Sequence, residues 1–512
     1  MKLKTKILGL EAGGKSIVIL NKTDAEDLGV RSLDRVRLQA NKKELTAIVN
    51  ITTSLQLKGM IGVYSEVRSL LDLKEGMEIE VDVAKFPSSL QFIRNKLAGR
   101  KLGYEEFFEI VKDTIEGNLN EIEIASFVTA LHTFGIDLEE ATNLTLAMVE
   151  TGEKLRLNRI CMDKHSVGGA VGDKTTLLVV PIIASAGLTI PKTSSRTITS
   201  ACSTADRAEI LMPVDLDLDE MKTVVNKTNG CIVWGGSLHL APADDIFIQV
   251  EYPLSIDPLL LPSIMSKKMA VGANYVVIDI PCGRGTKIKT IGDANFLAKD
   301  FIELGQKLNI KTQCAITFGE QPIGYTIGPA LEAREALEVL MRRKAIPDLI
   351  DKTTHIADMM MRMVGKDGQN IALEIIRSGR AEEKLREIIF EQGGDSEVKP
   401  EDIKIGEFGL DIKSEKSGVV LWISNTALIE AARAAGSPKD KGAGILLHKK
   451  VGDTVEKDEN IFTIYTEKNR KLERVLKVLE EEKAFGIGER MEMLIQEVTE
   501  VPVHKKVFII ER

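Results

Sequence analysis

The stretch Lys164-His-Ser-Val-Gly-Gly-Ala-Val-Gly-Asp-Lys-Thr-Thr176, continued by Leu177-Leu-Val-Val-Pro-Ile-Ile183, decides the fold. Its glycines allow backbone N–H groups to approach an anion closely. A helix predicted from about Lys174 to Ala186 adds the positive end of a helix dipole. Lys164, Ser166, Thr175 and Thr176 supply side-chain donors. The register of a Walker loop, Gly-x-x-x-x-Gly-Lys-Ser/Thr, is absent. From Arg159 onward apolar strand-like runs alternate with helical ones. Cys231-Ile-Val-Trp and Tyr275-Val-Val-Ile-Asp-Ile are continuous apolar strands. Such strands suit a mostly parallel sheet covered on both faces, and hence an α/β domain.

Outward from this centre the pattern changes three times. Before Pro87, short strand-like runs (Ser16-Ile-Val-Ile-Leu, Val36-Arg-Leu-Gln-Ala, Leu45-Thr-Ala-Ile-Val-Asn-Ile, Glu78-Ile-Glu-Val-Asp-Val) predict a small β-barrel-like accessory domain. From Leu90 to Leu155 the apolar spacing is helical and predicts a bundle. A helix near Pro258–Met269 is expected to return to that bundle and make it discontinuous. After about Gly409 a strand, a helix over Asn425–Ala435 and further strands predict an α+β module. The division expected is 1–86, 87–158 with about 240–270, 159–239 with 271–410, and 411–512.

The chain has 512 residues, 68 basic and 76 acidic, for a net charge of −8, and only 4% aromatics. This balance argues against nucleic-acid coating and against aromatic stacking platforms. The five cysteines form no Cys-x-x-Cys pair, so no structural zinc or redox pair is predicted. No apolar run reaches the roughly 18 residues of a membrane span. No signal peptide is recognised either, and the expected location is cytoplasmic.

Three further segments carry chemistry. Thr193-Ser-Ser-Arg-Thr-Ile-Thr-Ser-Ala-Cys-Ser-Thr204 crowds hydroxyls around Arg196 at the end of a predicted strand, where open α/β sheets bind ligands. Hydroxyls and a guanidinium suit a phosphate or sugar; a self-capped polar loop is the alternative. Asp257 sits in an apolar neighbourhood, where burial would keep a carboxyl protonated for general acid work; the alternative is a helix cap before Pro258. Ser263 and Lys267 share one helical face. Asp279-Ile-Pro-Cys-Gly-Arg-Gly-Thr-Lys287 ends a strand in a glycine turn. His132, among helical apolar residues, reads as a packed core or interface histidine. Asp244-Asp245 reads as a cap or turn rather than a metal pair.

Together, Lys164-His-Ser with Gly168-Gly169 and Gly172-Asp173, the Ser194-Ser-Arg segment, and Ser263-x-x-x-Lys267 resemble the thymidine/pyrimidine-nucleoside phosphorylase family. Ile93-Arg-Asn-Lys-Leu-Ala-Gly, Gly117-Asn-Leu and Leu144-Thr-Leu-Ala-Met resemble its helical domain. Gly418-Val-Val and Asp440-Lys-Gly-Ala-Gly-Ile-Leu-Leu-His resemble its C-terminal module. The extra domain before Pro87 and Ile190-Pro-Lys-Thr-Ser-Ser-Arg-Thr-Ile-Thr-Ser match its longer subgroup, which includes archaeal AMP phosphorylase.

The resemblance implies a pentosyltransferase that phosphorolyses a nucleoside 5′-monophosphate: AMP and phosphate giving adenine and ribose 1,5-bisphosphate. A pyrimidine nucleoside phosphorylase releasing a free base and 2-deoxyribose 1-phosphate is the alternative. It implies Asp257 as proton donor to the departing base. It places Gly169, Ser195, Arg196, Thr197, Ile198, Thr199, Ser200, Thr204, Ser263 and Lys287 on the nucleotide, and Lys164, Ser166 and Thr176 on phosphate. It implies no metal and no cofactor, since inorganic phosphate is a substrate, and a homodimer or larger assembly. Three departures stand out. Glu251-Tyr252 occupies the stretch where pyrimidine-specific relatives carry an Arg, Ser203 replaces a Gly, so its Cβ is expected to crowd the backbone there, and the Asp257–Ser263 stretch is about two residues shorter than in those relatives.

Overall fold

The computed structural model describes residues 1–197, 200–366 and 370–489. Near the N-terminus the alternation Lys2-Leu-Lys-Thr-Lys-Ile buries Leu3 and Thr5 and exposes the lysines, the period of a half-buried strand. Six strands, β1 (Lys2–Ile7), β2 (Ile17–Asn21), β3 (Arg35–Ala40), β4 (Lys43–Thr52), β5 (Met60–Val63) and β6 (Glu78–Val83), close in the order β1-β5-β2-β4-β3-β6. Closure leaves no free edge. Helices α1 (Lys22–Leu28) and α2 (Ser65–Leu71) cover the barrel, with Ala25, Val67 and Leu71 in its core.

Helices α3 (Ser89–Leu97), α4 (Tyr104–Ile115), α5 (Glu121–Phe134) and α6 (Leu138–Glu150) follow. Asn120 caps α5 by accepting from the Glu123 amide at 3.0 Å, and Asp137 caps α6 through Glu140 at 2.9 Å. Their apolar faces meet around Phe107 and Phe127, whose rings lie 6.3 Å apart nearly edge-on. Such a pair adds about 0.5–1.5 kcal/mol beyond its buried area. Inside the bundle Lys96 pairs with Glu140 at 2.7 Å. Glu123 also takes an ion pair from Arg35, tying barrel to bundle. His132 is exposed rather than packed: it lies in the last turn of α5, at the margin of the face that buries Val128 and Leu131.

The central sheet is wholly parallel. Strands β7 (Cys161–Ser166), β8 (Ile190–Ser194), β9 (Gly230–Trp234), β10 (Ala273–Cys282) and β11 (Lys311–Phe318) pair as β11-β10-β7 and β8-β9. The Cys161–Thr189 bridge links the two sets. The chain leaves β7 toward β8 and β9, then returns to place β10 on the other side of β7. This reversal is the switch point at which open α/β sheets leave a crevice at their carboxyl ends. Helix α7 (Thr175–Ser185) is buried on all sides, which explains why its Leu/Val/Ile run carries little amphipathic signal.

Between the strands run α8 (Thr204–Ala208), α9 (Leu218–Thr228), α10 (Pro242–Leu254) and α11 (Leu260–Ala270). Helix α10 packs into the bundle, where Phe247 meets the Phe127 ring at 5.7 Å. Helix α11 lies between α6 and the sheet, with Ile264 and Met265 in the sheet's core. The 408–488 region forms two small sheets around a helix over Asn425–Ala435. One of these sheets takes in Thr326–Ile327 of the central region.

Candidate active site

Because β7, β8 and β10 are parallel, Ser166, Ser194 and Cys282 end on one edge of the sheet. After β7 the chain turns through Gly168 and Gly169, at φ of +97° and +89°. A Cβ on Gly169 would lie 2.6 Å from the Lys287 amide nitrogen and 2.8 Å from Thr286 Cα. Glycine is therefore required twice over at 169, by dihedral and by space. The close approach seats the loop after β7 directly against the turn after β10. That turn is closed by the Thr286 hydroxyl donating to the Gly283 carbonyl at 2.7 Å. Asn425 of the C-terminal region ties it to the end of β11, its side-chain amide donating to the Gly319 carbonyl at 2.8 Å and to the Arg284 carbonyl at 3.5 Å.

The sheet beneath this loop buries an unusual density of charge. Lys164 is 2% exposed, with its Nζ 3.6 Å from Asp279 and 3.9 Å from Asp173. Lys352 reaches Asp279 at 2.8 Å and Asp173 at 3.3 Å. Asp163 takes Lys268 of α11 at 2.6 Å and faces Lys192 of β8 at 3.6 Å. Burial pushes the Lys192 ammonium down to about 7 despite Asp163, with Lys268 and Lys164 adding repulsion. Burial, then the same lysines and Lys267, holds His165 well below its ordinary range, so its imidazole is neutral. The Ser166 and Thr175 hydroxyls are buried without a partner. Unpaired donors beside buried cations at the start of α7 are what an oxyanion would satisfy. Thr176 is buried in the first turn of the same helix.

Asp257 corrects an expectation. It is not in an apolar surround: its side chain is 39% exposed and its Oδ2 accepts from Lys287 Nζ at 2.7 Å. Nor does it cap a helix, because α11 begins only at Leu260. The carboxyl that burial does raise is Glu251, pushed up to about 8 by desolvation and then by the charge of Asp257. Gly169, Lys287 and Asp257 thus come together from the sheet and from the loop between α10 and α11.

Arg196 also departs from expectation. Its guanidinium binds Glu209 at 2.6 Å and Asp215 at 3.1 Å and lies 5.0 Å over the Trp234 ring. Two carboxylates neutralise the charge that a phosphate would have used, so Arg196 anchors its loop. The described residues around it are internally bonded. Asp206 accepts from the amides of Thr197 and Ser203, both at 2.9 Å, and the Thr197 and Ser200 hydroxyls meet at 2.5 Å. Ser195 accepts at its carbonyl from the Ala205 amide at 3.4 Å, and Thr204 opens α8. Ser203 has φ −115°, extended backbone that any residue adopts, so the serine is accommodated. Ile198 and Thr199 lie outside the described residues. Ser263 donates to Asp244 at 2.9 Å, and Lys267 meets the same oxygen at 2.5 Å.

Sequence reasoning missed Glu251, Lys192, Asn425 and the role of Asp244 as the shared partner of Ser263 and Lys267. A signal existed for Glu251: an acidic residue four positions after Phe247, on the buried face of an apolar helix. Among the described residues no group of three or more His, Cys, Asp or Glu side chains is placed to hold a metal ion. Nor is any of their helices long and apolar enough to cross a membrane.

Comparison with known proteins follows this layout. Residues 90–152 match the glycosyl transferase family helical bundle domain, and 158–382 match that family's a/b domain. Residues 419–485 match the pyrimidine nucleoside phosphorylase C-terminal domain. AMP phosphorylase of Thermofilum pendens is 48% identical over 490 residues, 95% of each chain. AMP phosphorylase of Thermococcus kodakarensis is 47% identical over 93% of this chain and 96% of its own. That of Methanococcoides burtonii is 46% identical over 98% and 100%. Anthranilate phosphoribosyltransferase of Thermus thermophilus shares the fold, with a TM-score of 0.51 at 17% identity over 59% of this chain and 99% of its own. Matched in order along three regions and nearly end to end with these relatives, the chain belongs to the pyrimidine nucleoside phosphorylase family, in its AMP phosphorylase branch.

Proposed function

We propose that the protein phosphorolyses AMP: a phosphate oxygen bonds to C1′, the bond from C1′ to the base nitrogen breaks, and adenine leaves with ribose 1,5-bisphosphate as the other product. The observation that carries this reading is the near end-to-end likeness to AMP phosphorylases. The buried lysines and unpartnered hydroxyls beside the Gly168–Gly169 loop support it from the chemistry side. In this reading Lys164, Ser166 and Thr176 hold the attacking phosphate. The Ser195–Ser200 segment with Thr204, Gly169, Ser263 and Lys287 hold the nucleotide, with Arg196 bracing its loop through Glu209 and Asp215.

The C1′–N bond electrons pass to the departing purine, and a proton relayed through the Asp257 carboxyl from the Lys287 ammonium that donates to it neutralises them. Such general acid help is worth about 10²–10⁴-fold. Holding both substrates in line supplies much of the remainder. The nucleophile is an oxyanion already, so the reaction balances without a cofactor. Asp257 belongs to the α10–α11 connection, which packs on the bundle, whereas Lys287 belongs to the sheet. Closing these two parts on each other excludes water, which would otherwise divert the sugar to hydrolysis. We also read the chain as four units divided near residues 87, 159 and 411, the second and third interleaved, with the barrel as an accessory unit.

The test is a panel of AMP, CMP, UMP and thymidine with and without phosphate, measuring free base. Phosphate-dependent adenine release, fastest from AMP, is the expected result. Preference for thymidine would move the assignment to a nucleoside phosphorylase.

A further inference from the structure

Glu251 is 6% exposed, although it stands six residues before Asp257 in a segment that is otherwise largely exposed. It grips that segment twice. Its main-chain carbonyl accepts from the Ile256 amide at 3.2 Å, and its Oε1 accepts from the Leu259 amide at 3.1 Å. Asp257 lies between those two anchored amides. Ser255, just before them, has φ +52°, a left-handed turn with little latitude. Leu259, which carries the second of them, is wholly buried in the bundle core. The backbone that carries Asp257 is thus held on one side by the Glu251 main chain and on the other by its buried side chain, while the Asp257 carboxylate itself accepts from Lys287 at 2.7 Å.

We propose that Glu251 is a positioning residue for Asp257, holding the Ile256–Leu259 turn so that the Asp257 carboxyl meets the departing base. This rests on the reading of Asp257 as proton donor. The charged groups facing Glu251 are Asp257 on the turn, Asp244 on its own helix, Lys267 on α11 and Lys287 on the turn after β10. Burial first, then Asp257, pushes its carboxyl up to about 8. At neutral pH it therefore adds no second negative charge beside Asp257. When it ionises in mild alkali, that charge competes with Asp257 for Lys287.

The experiment is steady-state AMP phosphorolysis by the full chain across pH 6–9.5 for wild type, Glu251→Gln and Glu251→Leu, with Asp257→Asn as reference. Glutamine keeps a carbonyl for the Leu259 amide but cannot ionise; leucine offers neither. Misplacing a reacting group by about 1 Å costs on the order of 10²-fold. Glu251→Leu is therefore expected to lower kcat by about tenfold to 10²-fold, with both KM values within about threefold. Glu251→Gln should recover most of that loss and lack the fall in activity expected of wild type near pH 8. Wild-type kcat in Glu251→Leu would overturn the proposal. So would an alkaline limb that persists in Glu251→Gln, a result readable even if the leucine variant fails to fold. A wild type inactive on AMP, or an Asp257→Asn variant as fast as wild type, would instead bring down the underlying reading, and the proposal with it.

Discussion

The two sides of the crevice are built on opposite principles. On the sheet side, charge is buried: Lys164 and Lys192 of the strands, Lys268 of α11 and Lys352 interleave with Asp163, Asp173 and Asp279. On the helix side, the Asp257 carboxylate is half exposed, on a short turn whose Ile256 and Leu259 amides donate hydrogen bonds to Glu251. The difference teaches which step each side can serve. A dense, fixed array of cations and empty donors is pre-organised for an anion whose charge is present from the start. A carboxyl that must surrender its proton late needs a position that changes as the crevice closes.

Variants can break this contrast. The largest effect is expected at Asp257→Asn: kcat falls about 10²–10⁴-fold while AMP still binds, measured by initial rates and by equilibrium binding. Lys164→Met comes next. Removing one preorganised charge partner costs about 10²–10³-fold in turnover. Here the melting temperature should fall too, because Asp279 and Asp173 lose a buried cation. The split is diagnostic: Asp257→Asn should leave the melting temperature nearly unchanged, since its pair with Lys287 is exposed and of little worth.

Gly169→Ala sharpens the comparison at the seam between the two sides. Its Cβ collides with the backbone at Lys287, and its φ of +89° is unfavourable for alanine. A loss of about 1–3 kcal/mol in folding stability is expected, with a raised KM for AMP.

The smallest effect is a pH dependence of stability. The Glu251 carboxyl is raised from an ordinary 4.5 to about 8 in the folded chain. Its stabilising contribution is therefore complete below 4.5 and is lost as pH rises through 8. Glu251→Gln should accordingly show a shallower decline in melting temperature than wild type across that window.

Much of the sheet side was legible in the sequence, because local signals carry it. The glycine pattern after β7, the apolar run of α7 and the hydroxyl-rich end of β8 each declare themselves within a dozen residues. The helix side was legible only in part. Asp257 was singled out, but its surroundings were misread, because its partner Lys287 lies thirty positions away on a different element. The apolar letters around it in the chain point into the bundle, as Leu259 does, and not toward the carboxylate. The same blindness applies to Arg196, whose carboxylate partners are Glu209 and Asp215, and to Asn425, which braces a turn of the sheet from the C-terminal region. In the barrel, β1 and β5 escaped notice. One is mostly lysine on its outer face, and the other is four residues long with Gly62 inside it.

The most direct test of the account is ³¹P NMR of the full chain with AMP and ¹⁸O-labelled phosphate. The account predicts a single new pentose carrying two phosphates, with labelled oxygen bridging C1′ and phosphorus, formed in step with free adenine. Adenine released with ribose 5-phosphate and untouched inorganic phosphate would contradict it.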